Sequence, residues 1–236
     1  MNKKNIGLLL VIIITAVIVM SIGCSPAPMI QSAHVNSAVK TGFNVTGGQN
    51  IEDVSPYYTA FGIKDRVELT ASFYPRIIGA SANIKIFIAE RGNKGLFRNM
   101  AVAVFSGGKL SSGILDKCKS ANAGIIVSTI DHGYNGDMEL VFQPSFFRLI
   151  DREHDLEDHF RVDGLHLNCG TIFTIDPNRQ NRFSSDIRLG VGYQLALQIK
   201  NYVPETSIVK STYNGCFFQF GFDFNWKSDR QMRKKS

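Results

Sequence analysis

Residues 187–200 read IRLGVGYQLALQIK, and their alternation decides the fold class. Large apolar side chains recur at every second position: Ile187, Leu189, Val191, Tyr193, Leu195, Leu197 and Ile199. Between them stand Arg188, Gly190, Gly192, Gln194, Ala196, Gln198 and Lys200, all small or polar. A second series near the end repeats the pattern. Cys216, Phe218, Phe220, Phe222, Phe224 and Trp226 alternate with Phe217, Gln219, Gly221, Asp223, Asn225 and Lys227. Successive residues of a strand point to opposite faces, so each series is a strand with one apolar face and one small or polar face. Half-buried strands of globular sheets usually run about five or six residues, whereas a tilted strand crossing a bilayer needs about 9–11. The length of both series therefore predicts a transmembrane barrel, with apolar columns turned to lipid and small or polar residues lining a narrow interior. The Gly190/Gly192 pair suits an interior with little room.

Working outward, period two recurs and no long helical periodicity follows residue 30. Strands are expected at 31–46, 53–63, 67–75, 82–91, 97–106, 121–130, 137–150, 160–175, 184–200 and 213–226, giving an all-β, antiparallel up-and-down β-barrel of about ten strands. An even count suits a closed single-chain barrel. The connections Lys64-Asp65-Arg66, 92–96, 131–136 and 176–183 are expected to be the shorter ones, and 107–120, 151–159 and 201–212 the longer ones on the opposite side.

The ends of the chain explain its charge. The 236 residues carry 26 Lys plus Arg against 20 Asp plus Glu, a balance of +6. Lys3 and Lys4 lie in the first 23 residues, and Lys227, Arg230, Arg233, Lys234 and Lys235 stand against Asp229 in the last ten. Residues 24–226 are left with 19 bases and 19 acids. A neutral body, with Asp223 and no arginine on the polar face of the Phe-rich last strand, argues against nucleic acid as a partner.

Lys3 and Lys4 precede an uncharged run, Ile6 to Ile22, that stops at Gly23-Cys24, the form of an export signal. The stretch Ser21-Ile22-Gly23-Cys24 resembles the lipobox of bacterial lipoproteins, although Ser21 stands where that family prefers Leu. The resemblance implies acylation of Cys24 (palmitate or a related chain) as the new N-terminus. Ser25 rather than Asp after the cysteine resembles the sorting rule of enteric bacteria, which implies an outer-membrane rather than an inner-membrane destination. The expected organisation is a signal peptide over 1–23, a tether over 24–30, the barrel over 31–226 and a basic tail over 227–236. A single transmembrane anchor is the alternative reading of the first segment.

Two further motifs resemble those of small Gram-negative outer-membrane β-barrel proteins. Phe61-Gly62-Ile63-Lys64-Asp65-Arg66-Val67-Glu68-Leu69 looks like a tight turn joining two membrane strands in that family. Gln219, Gly221, Phe224 and Trp226 are similar to the signal by which such proteins are recognised by the barrel-assembly machinery. In the family that signal ends at or near the last residue, whereas ten residues follow Trp226 here.

Sites of chemistry are sparse. The run from Asp151 to His159 holds two histidines and five acids and reads as a solvated loop. None of the five histidines has Ser two residues on, and no Gly-x-Ser-x-Gly occurs, so no catalysis is expected. No nucleotide or zinc spacing is present, and no cofactor or metal is expected. With Cys24 acylated, Cys118, Cys169 and Cys216 remain, an odd number that permits at most one internal disulfide.

The expected role is therefore structural, or passage or binding of a small ligand, with membrane lipid as partner. The interior is expected to be lined by Arg188, Gln194, Gln198, Lys200, Gln219 and Asp223. The alternative is a soluble, lipid-tethered, lipocalin-like barrel, whose apolar columns would face inward onto an apolar ligand. The direction of the Phe218/Phe220/Phe222/Phe224 column separates the two.

Overall fold

The computed structural model describes residues 28–35, 38–48, 51–74, 79–91, 99–112, 116–132, 136–153, 159–175, 182–200 and 214–227. The segment expected to be a signal peptide, Cys24, residues 154–158 of the acidic run and the tail from residue 228 lie outside them.

Ten antiparallel strands close into one barrel in sequence order: β1 (Val39–Gly48), β2 (Ile51–Ile63), β3 (Val67–Tyr74), β4 (Gly79–Arg91), β5 (Met100–Ser112), β6 (Asp116–His132), β7 (Gly136–Glu153), β8 (His159–Ile175), β9 (Phe183–Lys200) and β10 (Gly215–Trp226). Closure is made by β1 against β10, in continuous register from Val39↔Trp226 to Gly48↔Phe217. A closed ladder leaves no edge, so no row of backbone amides is stranded at an open side. The end carrying Val39 and Trp226 is called the lower rim, and the opposite end the upper rim.

The turn after β2 shows how local chemistry sets a connection. Lys64 and Asp65 both adopt left-handed conformations, at φ 53° and 56°, and the Arg66 N–H donates to the Ile63 carbonyl at 3.1 Å. Two positive φ values give the mirror-image turn whose twist matches that of paired strands, and aspartate tolerates this conformation better than most residues.

Three departures from the sequence reading have physical reasons. First, β1 begins at Val39 rather than residue 31, because residues 28–35 run inside the barrel instead of joining its wall. Second, the Ser- and Gly-rich residues 107–112 belong to β5, and only residues 113–115 separate it from β6. Gly107 is paired tightly against β4, where a Cβ would lie 1.7 Å from Asn83 Oδ1 and 2.7 Å from the Ala82 carbonyl. The expected contrast between short and long connections is not kept: 92–99 and 176–182 are longer than 113–115 and 154–158, although 201–214, before β10, is the longest of all.

Third, a β-bulge interrupts β9. Ala196 is opposite Gly164 but Gln198 is opposite Asp163, which leaves Leu197 as an extra residue. One extra residue flips every later side chain to the other face. Gln198 and Lys200, expected in the interior, are exposed, and Ile199 packs inward against Phe147, Leu149, Val162 and Ala196.

Candidate functional site

The alternation divides the wall into two chemistries. Phe218, Phe224, Val191 and Leu197 are each more than half exposed on the outer face, whereas Gln143, His166, Asn168 and Asp223 are fully buried within. Of the residues expected to line the interior, Arg188, Gln194, Gln219 and Asp223 do lie inside. Within the assembly-signal stretch, Gln219 and Gly221 face in while Phe224 and Trp226 face out.

Two buried ionic groups brace the lower half of the lumen. Arg188 on β9 lies opposite Gly221 on β10, where a Cβ would come within 2.6 Å of its Nη2. The missing side chain at 221 lets the guanidinium lie flat against the wall. Arg188 Nη2 donates to Asp223 Oδ1 at 2.8 Å and to the Tyr58 hydroxyl at 3.0 Å, and Tyr58 in turn donates to Asp223 Oδ1. Lys40 Nζ lies 3.8 Å from Asp186 and 4.0 Å from Asp223. In the second group, Lys85 on β4 and Glu68 on β3 pair at 2.8 Å. Buried charges persist only when paired; each base here has a carboxylate partner, while Arg188 Nε and Asp223 Oδ2 have no hydrogen-bond partner among the described residues.

The space between these groups is filled by the chain itself. Residues 28–35 run through the lumen from its middle towards the lower rim, held mainly through their backbone. Gln219 spans two groups: its Nε2 donates to the Pro28 carbonyl at 2.9 Å, and its Oε1 accepts from the Ile30 N–H at 2.9 Å. Gln143 does the same for the Met29 carbonyl and the Gln31 N–H, at 3.0 Å each. Asn168 Nδ2 donates to the Pro28 carbonyl at 3.2 Å and Arg188 Nη1 to the Ile30 carbonyl at 3.0 Å. Lower down, Lys85 donates to the carbonyls of Ser32 and His34 at 3.0 and 3.1 Å, and the Ser32 hydroxyl donates to Glu139 at 2.9 Å.

Side-chain packing fixes the register of this plug. Ile30 is seated over Gly170 and Gly190, which are paired across β8 and β9; a Cβ on Gly190 would lie 2.8 Å from Ile30 Cδ1. Ile30 and Ala33 share a small apolar patch with Ala101, Ala103, Phe105, Ile126, Val141 and Ile172. Further up, the His166 ring stacks on Phe147 at 4.3 Å between centroids and meets Phe217 edge-on at 6.0 Å, and its Nε2 is 2.8 Å from Gln194 Oε1. Ser145 is opposite His166 in the β7–β8 register, yet no hydrogen bond joins its hydroxyl to the imidazole. Among the described residues no three metal-ligating side chains converge.

The sequence reading missed the plug, treating residues 24–30 as a tether and 31–46 as a strand. Its signal is the surplus of long donors and acceptors on inward positions (Gln143, Asn168, Arg188, Gln219) beside two facing glycines, which together call for a backbone to bind. No family model matches this chain, and comparison with curated proteins found no match, so the site rests on its own geometry.

Proposed function

We propose that this is an exported outer-membrane barrel, lipid-anchored through Cys24, whose outer face meets lipid and whose polar lumen is closed by its own residues 28–35. The observation that carries the reading is the inverted polarity of the wall. A soluble monomer rarely exposes a contiguous apolar patch above a few hundred Å². Here outward Phe, Leu, Ile and Val recur on every strand with described outer side chains, from Phe43 on β1 to Trp226 on β10. On β8 the outward positions from Leu165 to Ile175 carry no charge. Eleven residues at the usual rise and a tilt near 40° span about 25 Å, the height of the apolar band of outer-membrane barrels. Phe183 and Trp226, 5.8 Å apart at the lower rim, supply aromatic side chains of the kind found at membrane–water boundaries.

The soluble, lipocalin-like reading requires the apolar columns to face a ligand inside, and the Phe218/Phe220/Phe224 column faces out. Small barrels fill their interiors with side chains; this one adds a strand-length of backbone. Its role is structural, or passage of a small solute when the plug is displaced, without a catalytic step. Washing membranes with carbonate or urea, then comparing migration of heated and unheated protein on a gel, tests the reading. Retention with heat-modifiable migration supports it; a Cys24→Ala protein that is wholly soluble contradicts it.

A further inference from the structure

On the outer face of β6 to β9 the apolar belt ends sharply. Following the ladder sideways, Ile84, Ser106, Ala123, Phe146, Leu165 and Leu195 are cross-strand neighbours on one outward row. The next row towards the upper rim is Ala82, Gly108, Ala121, Arg148, Asp163 and Gln198. The row after that brings Lys119, Ile150, Arg161 and Lys200 together. Four consecutive strands thus each present one base just beyond the apolar belt. Arg148 Nε and Arg161 Nε both donate to Asp163, at 2.8 and 2.9 Å, which fixes the two guanidinium groups side by side. Lys119 and Lys200 have no ion-pair partner among the described residues. Among the described residues of these two rows four bases face one acid, whereas the lower rim mixes Lys64, Arg66 and Arg182 with Asp65, Glu90 and Asp131.

We propose that this patch is a binding site for a membrane lipid whose phosphate-bearing headgroup is anionic overall, which rests on the membrane reading above. Arg148, Arg161, Lys119 and Lys200 would hold the headgroup where the bilayer meets water, the depth at which cations attract anionic lipid. Beside Arg148 the outward residues Ala82, Gly108, Ala121 and Ala123 are small, which leaves room for the lipid next to the bases. The β9 bulge is part of the site, because it turns Lys200 outward.

The test uses the full-length purified chain inserted in vesicles of phosphatidylcholine with an equal part of phosphatidylglycerol. Lipid retained on the protein is then counted by native mass spectrometry. The intact protein retains phosphatidylglycerol preferentially. Lys119→Gln with Lys200→Gln, which leaves the Arg148–Asp163–Arg161 group untouched, lowers that preference by about fivefold per base removed. Lys64→Gln with Arg66→Gln at the lower rim leaves it unchanged. A chain that inserts but retains the two lipids in proportion to the mixture overturns the site, as does an equal loss in both double variants. A chain that inserts in neither this mixture nor pure phosphatidylcholine overturns the membrane reading instead.

Discussion

Arg188 and Asp223 are joined at 2.8 Å across the β9–β10 ladder, and the other arm of the same guanidinium holds the Ile30 carbonyl at 3.0 Å. One side chain therefore ties the wall to the segment that fills it.

Removing its counter-charge is correspondingly costly. Asp223→Ala leaves a buried guanidinium without its carboxylate, and breaking a buried pair in this way costs about 3–5 kcal/mol. Urea titration of the folded barrel, followed by heat-modifiable migration, should show that loss. Asp223→Asn keeps an acceptor for Tyr58 and Arg188 and should lose less. Equal stability of Asp223→Ala and the parent would show that the pair is not buried as described.

The plug can be displaced from the wall side. A Gly190→Leu side chain must occupy the space of Ile30, since even a Cβ would come within 2.8 Å of it. The segment then loses its seat and its bonds to Gln143 and Gln219. In a planar bilayer the parent should be closed, while Gly190→Leu and Ile30→Asp conduct. An equally silent variant with residues 28–35 shown to be displaced by protease sensitivity would mean that something else closes the lumen.

The turn at Lys64-Asp65 offers a smaller effect of known sign. Gly at position 65 meets the positive φ without the Cβ penalty, whereas Asp65→Val places a β-branched residue there at about 1–2 kcal/mol. Unfolding midpoints should rank Asp65→Gly at or above the parent and Asp65→Val below it.

The legible and illegible parts of this fold differ for reasons of range. Alternation in β9 and β10 reports a local property, the environment on each side of a strand, so the barrel and the inward positions of Arg188, Gln194, Gln219 and Asp223 could be read directly. The bulge at Leu197 depends on pairing between β8 and β9, and without it Gln198 and Lys200 look like interior residues. The plug depends on partners 51 to 191 residues away along the chain. Residues 28–35 do not alternate cleanly, and their burial comes from a lumen that exists only once all ten strands have closed. Gly107 and Gly108 read as a loop because glycine weakens a strand; here it admits a close neighbour instead.

An outward charge should be penalised by depth. Phe220→Arg, near the middle of β10, should cost about 2–4 kcal/mol in a bilayer, and Leu110→Arg, near the upper end of β5, much less. Folding yield in phosphatidylcholine vesicles at increasing urea measures the difference. Matching penalties at the two positions would argue against a lipid-facing belt.

The outward direction of the β10 column separates a lipid-facing wall from an inward apolar pocket, and tryptophan scanning reads it. With Trp226→Phe as background, single tryptophans replacing Phe217, Phe218, Phe220 and Phe224 are placed in vesicles whose acyl chains carry bromine, which quenches on contact. An outward column gives strong quenching at 218, 220 and 224 and little at 217, which faces inward. Quenching at 217 alone, or at none of the four in a folded protein, means that the column does not face lipid.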